Sequence, residues 1–253
     1  MTLIILALIL ISCIFAPLGC IALWKRYIYF GDGLAHSSFL AASISIIAHF
    51  PLIYSGIIVA ILFSFFVFFF KNNSEKNAVI NLISSFMLAV ALIINYFTSL
   101  QNNIVHLLFG DILSVSFNDL IILVVVFITI ISFIVYFYNQ ILLTIINRDI
   151  AVIQGLNVNI IELIFLLLLS LSVFAAIKIV GVLMVTAILL IPAMIARFVA
   201  YSPSQMIIIS IFISLFINFC AAFSSFYFDL PLTPLFIVLG TLIYSLFYLK
   251  RFL

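Results

Sequence analysis

The chain has 253 residues, of which 68% are hydrophobic and only 6% charged, with a mean hydropathy of +1.55. A soluble domain is roughly 25% charged. Nothing here clothes a water-facing surface or neutralises a phosphate backbone, so soluble enzymes, nucleic-acid binders and disordered tails are excluded and lipid is the solvent for most of the chain.

Apolar runs bounded by polar or Pro/Gly punctuation predict an all-α, polytopic membrane protein with nine helices. They cover residues 2–24, 30–48, 51–70, 79–97, 119–138, 158–177, 179–200, 205–223 and 233–249. At about 20 residues per span, nine spans take about 180 residues, which leaves short loops and a single transmembrane domain over residues 1–253. Eight spans are the alternative, because the second helix carries Asp32 and His36 and the break near Lys178 is weakly marked. No Lys or Arg precedes Lys25, so the first helix reads as retained rather than as a secretory signal.

The basic residues orient these helices. Lys25 and Arg26, Lys71 and Lys76, Arg148, Arg197, and Lys250 with Arg251 all follow odd-numbered segments, and only Lys178 falls on the other side. By the positive-inside rule the N-terminus is outside and the C-terminus cytoplasmic. Tyr27 and Tyr29, Tyr136 and Tyr138, and Tyr244 and Tyr248 then sit near cytoplasmic ends, as interfacial anchors would. Cys13, Cys20 and Cys220 lie in apolar runs without CxxC spacing and read as packing residues. No phosphate-binding loop is present, so the chain reads as a non-enzyme without a nucleotide site of its own.

Three segments are more than apolar. In YFGDGLAHSSFLAA, residues 29–42, Asp32 and His36 stand four apart and share a helix face. An ionisable residue inside a span is expensive and points to function, and a carboxylate with an imidazole suits zinc or manganese. The alternative is structural: Asp32 caps the helix start and His36 bonds to a neighbouring helix. In QILLTIINRDIAVIQGLNVN, residues 140–159, Ile146, Ile150 and Ile153 recur at helical spacing before Gly155 as a helix stop. That stretch fits either a helix docking on a cytoplasmic partner or one lying on the bilayer. The outward segment 101–120 carries His106, Asp111 and Asp119 without Lys or Arg, and reads as a receiver of cations or a partner protein, or as a solvated loop.

Together these residues resemble the zinc and manganese ABC permease family, the membrane subunits of bacterial ATP-driven metal importers. YFGDGLAHSS is similar to its second-helix motif. LLFGDILSVS (107–116), RDIAVIQGLNV (148–158), IKIVGVLMVTAILLIPAMIARFVA (177–200) and FSSFYFDLPLTP (223–234) follow in the family's order. Gly33 stands where Thr or Ala is commoner, and Ala41 and Ala42 where Gly is frequent. The AHSS form after Asp32 is nearer to the zinc branch than to the manganese and iron branch.

The resemblance implies a multi-pass protein of the bacterial inner membrane that pairs with a second copy of itself. A cytoplasmic ABC ATPase dimer and an extracytoplasmic metal-binding protein would be its other partners. Asp32 and His36 would form a transient metal site shared across the dimer. Arg148, Asp149, Ile150 and Gly155 would contact the ATPase, and His106 and Asp111 would lie at the external entry. No permanent cofactor is implied, only a transported divalent metal, with zinc favoured over manganese or iron. A proton-coupled secondary metal transporter is the competing class, with Asp32 and His36 as a proton relay.

Overall fold

The computed structural model describes residues 2–70, 75–98 and 110–252. Among them there are helices and no strands. In chain order they are α1 (Thr2–Trp24), α2 (Phe30–Ala48), α3 (Leu52–Phe70), α4 (Lys76–Thr98), a 3-10 turn (Ile112–Ser114), α5 (Phe117–Ile146) and α6 (Arg148–Ile153). They continue with α7 (Val158–Val180), α8 (Val182–Val199), α9 (Pro203–Phe228) and α10 (Leu232–Phe252).

Each of the nine expected segments is helical. All but α2 and the short α6 are long and apolar enough to cross a membrane, which gives eight spans among the described residues, the alternative count. The difference lies in α2, which keeps its 19 residues but dilutes them with Asp32, His36 and four serines. With every backbone amide bonded within the segment, helices are the form that lipid permits. The break expected near Lys178 falls at Gly181, whose φ of 76° is open to glycine and costly for other residues.

The chain forms two compact units. One comprises Met1–Leu23, Ser99–Leu123 and Ala175–Leu253. Within it α8, α9 and α10 pack together, and α1 is fastened to α9 by polar contacts. Asn218 Nδ2 donates to Ser12 Oγ at 2.6 Å, and the Cys20 thiol approaches Ser210 Oγ at 3.3 Å. Small and hydroxylated residues serve here as they do in membrane interiors, by permitting close approach and bonding across helices. Lys178 Nζ meets Asp119 Oδ2 at 2.8 Å, so this lysine is ion-paired rather than simply snorkelling.

The other unit comprises Trp24–Thr98 and Val124–Phe174, with α2 packed between α3 and α4. Ser64 and Ser170 share a hydrogen bond of 2.6 Å that ties α3 to α7. Phe30 stacks edge-on against Phe63 at 5.2 Å between ring centres. Gly33 lies where a Cβ would sit 2.7 Å from Phe63 Cζ and 2.9 Å from Ile80 Cγ2. The large side chains opposite leave no room for a Cβ at this position.

Candidate functional site

Helix α2 carries the first candidate site. Its buried face is made of Phe30, Gly31, Gly33, Leu34, Ala35, Ser37 and Ser38, followed by Leu40, Ala41 and Ser43. Between Phe30 and Ile46 only Asp32 and His36 are exposed. The four-residue spacing therefore does what the helix period requires: it places a carboxylate and an imidazole one turn apart on the one open strip of a packed helix. Asp32 also falls in the first turn of α2, where the helix dipole favours a negative charge. No group of three or more His, Cys, Asp or Glu is assembled among the described residues. A tetrahedral zinc site takes four ligands, and this chain offers two at α2.

The second candidate is α6. Asn147, in extended backbone, caps it by accepting from the amides of Asp149 (2.9 Å) and Ile150 (3.2 Å). That cap divides the expected stretch, because Ile146 ends α5 and Ile150 and Ile153 belong to α6. Ala151 is buried, while Ile150, Val152 and Ile153 are exposed, so α6 turns an apolar face outward. Arg148 Nη2 donates to Asn159 Oδ1 at 3.0 Å, bracing α6 against the start of α7. Gly155 follows at φ 77° with nothing within 4 Å of where a Cβ would be. It is required for the turn and not for space.

The external candidates divide. His106 lies outside the described residues. Asp111 is exposed, its amide donates to the Lys178 carbonyl at 3.2 Å, and its own carbonyl accepts from Ser114. With Ser225, Asp229 and Thr233 it lines a cavity of about 320 Å3.

One cluster was invisible to sequence spacing. Tyr27, expected as an interfacial anchor, is fully buried and donates its hydroxyl to Glu162 Oε1. Lys76 Nζ lies 3.3 Å from the same oxygen and 4.7 Å from the centre of the Tyr27 ring. Burial first, and then the neighbouring Glu162 carboxylate, raise the Tyr27 pKa above the ordinary tyrosine range. The available signal was Glu162 itself, the one acid in α7.

Comparisons with known proteins agree with this architecture. The chain is 31% identical over 252 residues to the high-affinity zinc uptake system membrane protein ZnuB of Buchnera aphidicola subsp. Baizongia pistaciae, covering 98% of this chain and 97% of that protein. It is 28% identical to the manganese import system permease protein ScaB of Streptococcus gordonii over 204 residues, 80% of this chain and 73% of that protein. Its fold is like that of a chain in the structure of PsaBC from Streptococcus pneumoniae in complex with Fab. That match has a TM-score of 0.84 at 23% identity and covers 97% of this chain and 89% of that one. The profile of the ABC 3 transport family matches residues 1–251. Helical throughout its secondary structure and with eight apolar spans among the described residues, the chain is matched to that profile over nearly its whole length and belongs to the ABC 3 transport family as a multi-pass transport subunit of the bacterial inner membrane.

Proposed function

We propose that the chain is the permease subunit of an ATP-driven importer whose cargo is zinc, and that Asp32 and His36 are its transient metal ligands. The observation that carries this reading is the placement of those two side chains alone on the exposed strip of a helix otherwise packed against its neighbours. A second copy facing the same axis would complete two carboxylates and two imidazoles, a set suited to zinc. A transport site has to bind well enough to strip water from the ion and still release it. Two ligands per subunit, brought together only by dimerisation, meet that demand.

In this reading an ABC ATPase on the α6 side supplies the energy. Its closure would press on the exposed Ile150 and Ile153, and α6, braced to α7 through Arg148 and Asn159, would pass the displacement into the spans. Alternating access would follow as a shift between two states of the permease. An extracytoplasmic metal-binding protein would deliver the ion to the side carrying Asp111.

Zinc is supported by the relationship to ZnuB over nearly the full length. Manganese is the second reading, favoured by the relationship to ScaB, because geometry and availability separate these metals more than raw affinity does. The test is metal-resolved uptake into liposomes holding the complete importer. Zinc accumulation that exceeds manganese at equal free concentration supports the assignment, and the reverse order replaces zinc with manganese.

A further inference from the structure

A polar pocket of about 270 Å3 opens where several helices end, lined by Lys25, Arg26, Lys76, Thr144, Arg148 and Glu162. Four cations share it with one carboxylate. That carboxylate is already engaged by the Tyr27 hydroxyl and by Lys76. The lining of the pocket therefore carries a net positive charge, and three of its cations, Lys25, Lys76 and Arg148, are half-buried. Like charges held together with restricted access to water repel one another, and an entering anion relieves that cost. Arg26 adds a second sign: it holds a left-handed backbone, φ 62°, where glycine or asparagine would be less strained.

The position of the pocket identifies the anion. It lies beside the end of α1 at Trp24, the start of α4 at Lys76, the end of α5 at Ile146 and the start of α7 at Val158, and the ends of helices long enough to cross a bilayer are where headgroups meet water. At the same ends of α3 and α4 an apolar groove of about 310 Å3 is lined by Phe66, Phe70, Val79, Leu82, Ile83 and Phe86. It begins one helical turn beyond Lys76. A cationic pocket for a phosphate beside an apolar groove for a chain is the pattern of a phospholipid. We propose that this pocket binds the headgroup phosphate of an anionic phospholipid, held by Lys25, Arg26, Lys76 and Arg148. The lipid would thereby bridge the α1–α2 turn to the first residue of α6. The assignment stands on its own, whatever metal the chain carries.

Native mass spectrometry of the full-length permease, purified in mild detergent and titrated with phosphatidylglycerol or phosphatidylcholine, tests this. Wild type is expected to retain phosphatidylglycerol in preference. Each cation near an anionic membrane surface contributes roughly a fivefold change in affinity, so Lys25→Gln with Arg26→Gln should weaken phosphatidylglycerol retention about thirtyfold and leave phosphatidylcholine unaffected. The charge-preserving pair Lys25→Arg with Arg26→Lys should restore it, and Arg26→Gln alone, at an exposed position, should show a roughly fivefold loss. Equal retention of both lipids, or an unchanged double variant, would overturn the proposal. Displacement of the lipid by millimolar inorganic phosphate would move the site to a soluble anion. Displacement by the ATPase subunit would assign the cations to that protein's acidic groups. Either result contradicts a resident lipid.

Discussion

Lys76 Nζ stands 3.3 Å from Glu162 Oε1, joining the first residue of α4 to the beginning of α7 across 86 positions of sequence. Both side chains are largely withdrawn from solvent, at 18% and 5% exposure. Removing one partner strands the other. Glu162→Ala should cost about 3 kcal/mol, seen as a lower Tm in detergent. The pair Glu162→Ala with Lys76→Ala should cost less than Glu162→Ala alone, since the cation nearest the lost carboxylate is gone. Additive losses would show that the two groups do not interact.

Tyr27 gives the same cluster a pH signature. Its pKa is raised in the folded protein above the ordinary tyrosine value of about 10. Between that value and the folded one, the unfolded chain has released the proton and the native protein still holds it. Stability from this group is therefore complete below pH 10 and declines as pH rises, by about 1.4 kcal/mol per pH unit. Tm measured from pH 9 to 11.5 should fall more steeply in wild type than in Tyr27→Phe. Parallel curves would remove Tyr27 as the source.

Gly33 sets how close α2 comes to α3 and α4. A methyl there would press on Phe63 and Ile80, both fully buried, so Gly33→Ala should destabilise by about 1–3 kcal/mol. Adding Phe63→Leu should recover part of that loss by making room. If Gly33→Ala is neutral on its own, the packing is looser than the distances indicate.

The turn after α6 behaves differently. Space around Gly155 is open, so the cost of Gly155→Ala comes from its positive φ alone, about 1–2 kcal/mol, and Gly155→Asn should be milder. If α6 is the ATPase contact, Ile150→Asp and Arg148→Glu should leave the ATPase hydrolysing ATP while uptake falls at least about tenfold, a coupling loss of about 1.4 kcal/mol. Normal uptake by both variants would place the contact elsewhere.

Much of this was legible in the sequence because it depends on local pattern. Helix positions followed from apolar runs, and the shared strip of Asp32 and His36 from a spacing of four. What escaped depends on partners distant in the chain. Tyr27 reads as an anchor until Glu162, 135 positions away, is found beside it. Lys76 reads as a loop charge until it proves to open α4 and to turn back into the cluster. Ile146 joins its neighbours on one apolar pattern, yet the Asn147 cap ends α5 at that residue and starts α6 after it. The exposed strip of α2 became specific only once Phe63 and Ile80 were seen filling the opposite side.

Zinc uptake by Asp32→Ala and His36→Ala permeases is the most direct measurement of the central claim, made in liposomes with the ATPase and metal-binding protein present and with assembly verified by co-purification. The account predicts intact complexes whose uptake falls to background in both variants, because two ligands per subunit leave none to spare. Wild-type zinc uptake by either assembled variant would contradict it.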